Sequence, residues 1–317
     1  MAEKEKPYVY QTTTMHRDVQ ALLEKNFNMV WPEDVEKFKD KISAIVVFVN
    51  IKVTAELIAN FPNLKVIGCY TVGYDHIDLT ACKLRGVRVT YVPEVSNDTT
   101  ADMAWALLLA AARRVVEGDK ISKSPHTTTV DPNWFGFQVS EMTLGIIGMG
   151  RIGLEVAKRA VSFKMRILYH NRKRCSKEDE DSVQATYVSS LLDMLGQSDY
   201  VVLAAPGGDE TYKMMGREQF GAMKKSGIFV NISRGSLVDQ DALVEALRGG
   251  TIAAAGLDVT KPEPLPRDHP LLTLPNAIIT PHTGSQTLPT RMKMMQCTID
   301  NIWAALKGEP MLSEVPL

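Results

Sequence analysis

The sequence predicts an α/β protein built from two doubly wound parallel-sheet domains. Short apolar runs alternate with helical patterns over the first 91 residues, a second series of such runs begins at Leu144, and Pro93 interrupts the pattern between them. Alternating strands and helices are typical of βαβ units and a parallel sheet. With 317 residues, the chain is long enough for two such domains.

The first series contains five predicted strands, at residues 8–11, 28–30, 44–49, 64–69 and 87–91. After Pro93, Asn97 or Asp98 is suited to cap a long helix over about 99–116, and an irregular segment follows over 118–140. These features predict a domain boundary near residue 96.

The second series predicts six strands with intervening helices. The strands begin at Leu144, Arg166, Tyr200, Ile228, Ile252 and Asn276. A last helix over 288–307 follows the completed series, so we expect it to cross back to the first domain, with its methionines in the core. The predicted domains are therefore 1–97 with 286–317, and 98–285.

Three glycines follow the first strand of the second series. Gly148, Gly150 and Gly153 form a G-x-G-x-x-G between a predicted strand at 144–147 and a predicted helix at 151–163. In that setting the first glycine permits a tight turn, the second lets backbone approach a pyrophosphate, and the third lets the helix pack on its strand. The second domain is thus predicted to be a Rossmann dinucleotide-binding domain.

The composition argues against several classes of partner. A formal net charge of −1 gives no general attraction to nucleic acid or to anionic membranes. The apolar stretch at 103–112 is about half the length that a bilayer requires. The four cysteines have no metal-type spacing, which predicts reduced thiols and no metal site. Because the start of the chain is charged and lacks an apolar signal segment, we expect a cytoplasmic protein.

Polar residues follow the strands of the second series. Ligands bind beyond the carboxyl ends of strands in doubly wound sheets, so these segments are candidates for a binding crevice. They are 170–174, 204–208 with Ala205 and Pro206, 231–235 with Ile232, Asp258 with 261–264, and 281–284 with Gly284.

Three of these strand ends supply side chains for acid–base chemistry and anchoring. Reduction of a carbonyl by a hydride needs a proton partner, and His282 is the natural candidate because imidazole changes charge near neutral pH. Glu263 is suited to pair with this ring and orient it, and Arg234 offers a planar fork for a substrate carboxylate. The alternatives are a structural histidine, a solvated loop glutamate and a surface arginine.

Over nearly its whole length the chain resembles the D-isomer-specific 2-hydroxyacid dehydrogenase family, closest to the glyoxylate/hydroxypyruvate reductases. The matching segments are 71–75, 93–114, 144–153, 231–239, 256–266 and 280–285. The resemblance implies a flavodoxin-like substrate domain beside the Rossmann domain. It also implies that His282 is the acid/base, with Glu263 as its partner and Arg234 as a substrate-binding residue.

The resemblance implies further contacts. The backbone amides of Val72 and Gly73 would hold the substrate carboxylate. Trp134 would lie on the dimerisation arm of a homodimer and reach the partner's active site, although packing beneath a loop is an equal reading of this tryptophan. The implied cofactor contacts are Arg151 and Ile152 at the pyrophosphate, Asp258 near the nicotinamide amide, and Thr100 as a weaker one. The pair Gly207-Gly208 departs from the Leu-Thr of many relatives.

The second strand of the Rossmann domain indicates which dinucleotide binds. NAD-specific sites usually place an acidic residue at its end, and this chain has His170 there. Arg172 would attract the 2′-phosphate of NADP(H), with Asn171 and Lys173 or Arg174 assisting. NADP(H) is therefore the preferred cofactor and NAD(H) the alternative; a merely solvated basic turn is the structural reading of this cluster.

The predicted activity is the NADPH-dependent reduction of a short 2-oxo acid, glyoxylate or hydroxypyruvate, with His282 as proton donor. Reduction of a larger sugar acid of the 2-ketogluconate type is one alternative. A nucleotide-sensing scaffold, similar to the C-terminal-binding corepressors that share this fold, is an alternative from a different class.

Overall fold

A computed structural model describes residues 6–48 and 51–317. The chain divides into two compact units, one formed by Met1–Ser96 with Ser285–Leu317 and the other by Asn97–Gly284. We call them the small unit and the large unit. None of the described helices combines the length and apolar character that a membrane span requires.

The small unit is built on a five-stranded parallel sheet. Its strands are β1 (Tyr8–Gln11), β2 (Asn28–Val30), β3 (Ile42–Val47), β4 (Val66–Cys69) and β5 (Arg88–Thr90). Its helices are α1 (Arg17–Asn26), α2 (Val35–Phe38), α3 (Ala55–Ala59), α4 (Leu79–Arg85) and α12 (Leu288–Lys307). The strand order β2-β1-β3-β4-β5 is flavodoxin-like, which confirms the predicted fold class of this unit.

Two strands of the small unit begin later than predicted because the preceding residues bond elsewhere. The amide of Leu64 donates to the Phe61 carbonyl (3.2 Å) in a turn before β4. The amide of Val87 donates to the Cys82 carbonyl (2.9 Å) and thus completes the end of α4. The strand predicted at 44–49 runs over Ile42–Val47, and Val49 lies outside the described residues.

Helix α12 packs in the core of the small unit. The side chain of Thr287 caps its start, and Gly308, at φ +74°, ends it in a left-handed conformation. Met294 and Met295 are fully enclosed among apolar side chains of this unit. A Cβ on Gly68 would come within 2.7 Å of Ile302 Cδ1, so the glycine lets the helix lie close against β4.

The large unit is built on a seven-stranded parallel sheet. Its strands are β6 (Thr143–Ile147), β7 (Arg166–His170), β8 (Thr186–Tyr187), β9 (Tyr200–Leu203), β10 (Ile228–Asn231), β11 (Ala254–Leu257) and β12 (Ala277–Ile279). Its helices are α5 (Asn97–Ala112), α6 (Val115–Lys123), α7 (Arg151–Ser162), α8 (Lys177–Val183), α9 (Leu191–Gln197), α10 (Arg217–Ala222) and α11 (Gln240–Arg248). The order β12-β11-β10-β9-β6-β7-β8 confirms the Rossmann prediction.

In this sheet the strand order reverses between β6 and β9, and ligands of such folds bind beyond the carboxyl ends of the strands at that point. Strand β8 is additional to the six predicted ones. It has two residues, too few to give an alternating pattern.

The predicted long helix over 99–116 is wrong in extent, and the segment expected to be irregular contains part of α6. Arg114 adopts a left-handed conformation (φ +54°) that separates α5 from α6. The Arg114 guanidinium forms an ion pair with Glu117 (2.7 Å), and the Trp134 ring packs where a Cβ on Gly118 would stand (3.1 Å). Helix α6 is thus stabilised by tertiary packing, which local periodicity does not report.

Candidate active site

The loop between β6 and α7 forms a cradle of backbone. A Cβ on Gly148, at φ +93°, would stand 2.5 Å from the Ala205 amide nitrogen, so the glycine lets the chain segments after β6 and β9 touch. A Cβ on Gly153 would stand 2.3 Å from the Gly148 carbonyl oxygen, so α7 begins close to this turn. At Gly150 a Cβ would meet nothing within 4 Å. The cradle therefore leaves open the space beside its middle glycine, as the approach of a pyrophosphate requires.

The side chain of Asn171 holds this cradle in place. Its Oδ1 accepts a hydrogen bond from the Met149 amide (2.7 Å), and its Nδ2 donates to the Met149 carbonyl (3.4 Å). At the start of α7, Arg151 is exposed and Ile152 packs against the core of the unit. The sequence predicts that Asn171 assists Arg172 at the 2′-phosphate of NADP(H), and in the structure its side chain also fixes the loop.

The two arginines that follow β7 are paired with acids of the same unit. Arg172 forms an ion pair with Glu210, from the loop after β9, and both side chains are more than three-quarters exposed. Arg174 forms an ion pair with Glu180 (2.8 Å), and the Tyr169 hydroxyl also donates to the Glu180 carboxylate. These two partners lower the pKa of Glu180 to about 2. Arg174 is thus committed to a structural ion pair.

Lys173, between these two arginines, is exposed, and no side-chain partner is found for it among the described residues. Arg172 and Lys173 therefore remain the cations at this strand end that could face an anion. His170 uses its Nδ1 to contact the Val188 carbonyl (3.0 Å).

The loop after β9 contains the Gly207-Gly208 departure. Pro206 is exposed and Ala205 is buried beneath the glycine cradle. The Thr211 hydroxyl donates to the Pro206 carbonyl (2.9 Å), which closes the loop into a short 3-10 turn at Asp209–Thr211. The two glycines thus lead into the turn that presents Glu210 to Arg172.

Asn231 organises the loop after β10. Its Oδ1 accepts from the Ser233 amide (3.0 Å), and its Nδ2 donates to the Arg234 carbonyl (3.0 Å). Ile232 is buried under this loop, and Arg234 is half-buried. The guanidinium donates to the Ser233 carbonyl (2.9 Å), and the backbone of Arg234 is extended at the strand end.

Backbone contact brings the Arg234 loop to the Glu263 loop. A Cβ on Gly235 would stand 2.0 Å from the Thr260 carbonyl carbon and 2.6 Å from the Lys261 amide nitrogen. Gln240 adds two hydrogen bonds to the Lys261 backbone, at 2.6 and 2.8 Å. Only glycine fits at position 235 without moving one loop away from the other. This contact was not predicted from sequence.

His282 and Glu263 form the predicted pair. His282 Nδ1 lies 2.8 Å from Glu263 Oε2, and the second carboxylate oxygen accepts the Thr260 amide (3.0 Å). The imidazole is 27% exposed and the carboxylate side chain 35% exposed, so solutes can reach both. Because Nδ1 is engaged, Nε2 is the ring nitrogen that can face a substrate, and no partner for it is found among the described residues.

Asp258 fixes the turn that carries His282. The carboxylate is 2% exposed and accepts the Thr280 hydroxyl (2.6 Å) and the amides of Thr283 and Gly284 (2.8 Å each). The His282 amide donates to the Asp258 carbonyl (2.8 Å), and the residue itself has φ +55°. Sequence reasoning assigned Asp258 only to the nicotinamide amide. Asp258 follows β11 and His282 follows β12, and these two strands are neighbours in the sheet. Their positions after neighbouring strands are the signal for this second role.

Thr100 lies close to the same turn. It is buried on α5, and a Cβ on Gly284 would stand 3.3 Å from its Cγ2 and 3.1 Å from an Asp258 carboxylate oxygen. Small residues are therefore needed where the end of this turn meets α5.

In the small unit, Val72 and Gly73 follow β4 in an irregular loop. The Thr71 hydroxyl donates to the Gly73 carbonyl (2.7 Å), which fixes the course of the chain. In the described part of the protein, neither the Val72 nor the Gly73 amide has a hydrogen-bond acceptor. Two adjacent unpaired amides are suited to hold a carboxylate.

Trp134 packs on α6 of its own chain. Its indole N–H donates to Glu117 (3.1 Å), and the Arg114 guanidinium lies 4.8 Å from its ring centroid. The neighbouring Phe135 is 72% exposed. Of the adjacent aromatic side chains, the tryptophan is therefore supported by its own helix and the phenylalanine projects from it.

A Rossmann sheet with a glycine cradle, and a His–Glu pair beyond the carboxyl ends of its strands, defines a dehydrogenase that uses a nicotinamide dinucleotide. Comparison with known proteins agrees. Residues 105–284 match the sequence model of the D-isomer specific 2-hydroxyacid dehydrogenase NAD binding domain. The chain is 41% identical to the glyoxylate/hydroxypyruvate reductase B of Cronobacter sakazakii, with 96% of both chains covered. It is also 41% identical to the glyoxylate reductase of Pyrococcus horikoshii, covering 96% of this chain and 94% of that one.

Solved structures agree as well. An NADPH-dependent glyoxylate/hydroxypyruvate reductase from Sinorhizobium meliloti, in complex with NADP and malonate, superposes with a TM-score of 0.86 at 30% identity, covering 98% of this chain and 97% of that one. The chain belongs to the D-isomer-specific 2-hydroxyacid dehydrogenase family and is an oxidoreductase.

Proposed function

We propose that the chain reduces a short 2-oxo acid, glyoxylate or hydroxypyruvate, to the 2-hydroxy acid with NADPH, giving the D configuration where the product is chiral. The relatives from Cronobacter and Pyrococcus are named for these substrates. The observation that carries the proposal is the hydrogen bond between His282 and Glu263, with the second oxygen of the glutamate held by a backbone amide. In this arrangement Nε2 is the ring nitrogen that would face a substrate carbonyl.

The glycine cradle fits a nicotinamide dinucleotide because its middle glycine leaves free the space that a Cβ would fill. Its residues, with Arg151 and Ile152 in the first turn of α7, would hold the pyrophosphate against the positive end of that helix. When the reduced dinucleotide is bound, its nicotinamide supplies a hydride to the carbonyl carbon of the substrate.

The side chains of the protein then bind the substrate and handle its proton. His282 holds a proton on Nε2 and donates it to the carbonyl oxygen, while Glu263 keeps the ring oriented. Arg234 binds the carboxylate and the adjacent carbonyl with its planar fork. The Val72 and Gly73 amides bind the carboxylate as well.

The choice of NADPH over NADH rests on the residues after β7. His170 stands where NAD-specific sites of this fold usually place an acid, so no carboxylate of that strand end would repel a 2′-phosphate, and Arg172 follows two residues later. Glu210, which pairs with Arg172, would have to give up that ion pair to the phosphate. We therefore infer that Glu210 competes with the cofactor for the same guanidinium.

We expect Arg172→Ala to raise the KM for NADPH about tenfold and the KM for NADH less than about twofold, because only NADPH presents a phosphate to this side chain. Glu210→Gln is expected to lower the KM for NADPH, since the guanidinium is then released. The matched control is Arg217→Ala, an exposed arginine that also pairs with a glutamate. Equal effects of Arg172→Ala on the two cofactors would contradict the assignment.

A substrate panel tests the reaction itself. Glyoxylate, hydroxypyruvate, pyruvate and 2-ketogluconate are each supplied with NADPH and with NADH, and oxidation of the reduced nicotinamide is followed by absorbance. We expect the highest kcat/KM for glyoxylate or hydroxypyruvate with NADPH. A preference for 2-ketogluconate would assign the chain to sugar-acid reduction, and binding of dinucleotide without turnover of any acid would favour the scaffold alternative.

We also propose that the protein is a homodimer that buries the apolar surface around Phe135. Phe135 and Val116, 72% and 43% exposed, line a groove of about 590 Å³ beside α5 and α6. Clustered exposed apolar side chains mark interfaces more often than isolated ones do.

We expect light scattering to give twice the mass of the chain, and Phe135→Asp to give the monomer mass. Leu84→Asp, at a leucine that is 82% exposed in the small unit, is the matched control and should remain dimeric.

A further inference from the structure

The small unit contains a cavity of about 350 Å³ at the carboxyl edge of its sheet. The loop after β1, the ends of β3 and β4 and the start of α12 surround it. Its lining includes Thr14, His16, Phe48, Tyr70, Gln286 and Arg291, and contains no aspartate or glutamate. The volume suits a small organic acid.

Arg291 is a buried cation in this lining. The residue is 8% exposed, and its guanidinium lies 4.8 Å from the Phe48 ring centroid and 5.4 Å from that of Tyr70. One terminal nitrogen donates to Gln286 Oε1 (2.6 Å). Among the described residues no carboxylate pairs with it and its Nε has no acceptor.

A buried charge without a counter-ion is unfavourable, because neither the aromatic faces nor one amide oxygen replaces the water that burial removes. Burial accordingly lowers the pKa of Arg291. A bound anion would supply the missing partner.

The other features of the cavity also favour an anion. Helix α12 has 20 residues and directs its N-terminal end, with its partial positive charge, at the cavity through Thr287 and Leu288. His16 adds an imidazole at the rim, 3.7 Å from Asp18, which does not line the cavity.

We propose that this cavity binds the carboxylate of a small organic acid, with Arg291 as its counter-ion. Two sources of that carboxylate fit the chemistry. One source is a 2-oxo dicarboxylic acid whose first carboxylate is held by Val72 and Gly73 and whose second carboxylate enters the cavity. Tyr70 of the cavity lies only two residues before Val72 in the chain. This source rests on the proposed function. The other is a separate acid that acts as an effector.

Calorimetric titration of the full-length protein with malonate tests the site. All proteins carry Arg234→Met, so that the arginine proposed to hold substrate does not bind the probe. We expect Arg291→Met, a neutral side chain of similar length, to weaken malonate binding at least about tenfold. Arg17→Met removes the same charge from a side chain that is 89% exposed and outside the lining, and should change the affinity less than about twofold.

Two results would overturn the proposal. One is equal malonate affinity with and without Arg291 in proteins whose circular dichroism is native. The other is no malonate binding to the parent protein beyond that of chloride at equal ionic strength. If Arg291→Met does not fold, Arg291→Lys serves instead: it keeps the charge but loses the planar fork, and we expect it to weaken malonate binding about threefold.

Kinetics in the presence of native Arg234 separate the two sources. If the carboxylate belongs to the substrate, Arg291→Met lowers the ratio of kcat/KM for oxaloacetate to that for glyoxylate about tenfold, and Arg17→Met does not. If it belongs to an effector, malonate changes glyoxylate turnover without competing with glyoxylate, and Arg291→Met abolishes that change. A wild-type protein without 2-oxo acid turnover would refute the proposed function, and the calorimetric result would still decide the carboxylate site.

Discussion

Replacing His282 by glutamine is expected to lower kcat for glyoxylate reduction about a thousandfold, because an amide of similar size cannot donate a proton to the forming alkoxide. The affinity for NADPH should change less than about threefold, since the glycine cradle and the residues after β7 do not contact this ring. Initial rates and a fluorescence titration with NADPH measure the two quantities. His126→Gln, at an exposed histidine of a turn, is the matched control.

Near-normal turnover of the His282 variant would remove this residue from the proposed mechanism. Glu263→Gln supplies a further comparison, because Glu263 acts on the reaction only through the ring that it orients. We therefore expect the double variant to be no slower than His282→Gln alone, as for residues that act as one unit.

Replacing Gly150 by alanine is expected to raise the Kd for NADPH at least about tenfold while the protein remains folded. A Cβ at this position meets no atom within 4 Å, and the φ of −88° suits any residue. The methyl group would instead fill the space into which the pyrophosphate must come. Fluorescence titration gives the affinity, and thermal unfolding followed by circular dichroism gives the stability.

Two other glycines calibrate that result. Gly221, in α10, also has open space at its Cβ, so Gly221→Ala should leave both cofactor affinity and folding intact. Gly153→Ala should destabilise the protein itself, because its Cβ would lie 2.3 Å from the Gly148 carbonyl oxygen. Unchanged NADPH binding by Gly150→Ala would mean that the dinucleotide does not use the cradle.

The elements that the sequence predicts best are those whose signals are local. Helix α12 runs over Leu288–Lys307 as predicted, because Thr287 caps it and Gly308 ends it. Helix α7 begins at Arg151, within the glycine motif that predicts it. Strand β8 and helix α6 depend on neighbours distant in sequence, such as Trp134 against Gly118, and no local pattern reports such contacts.

The candidate site divides in the same way. Residues that follow the end of a strand, such as His282 and Arg234, can be found by looking after each apolar run. The contact between Gly235 and Thr260 cannot, because it requires knowing which loops touch. Arg291 was not singled out for a related reason: within a helix that reads as core, only the structure shows that its guanidinium lacks a counter-ion.

The hydrogen bonds that the buried Asp258 carboxylate accepts have a consequence for redesign. The proposed proton donor, the glutamate proposed to orient it and the aspartate that anchors the turn all belong to one unit, Asn97–Gly284. A change in which 2-oxo acid is preferred can therefore be sought by randomising loops of the other unit, while these three residues are kept unchanged.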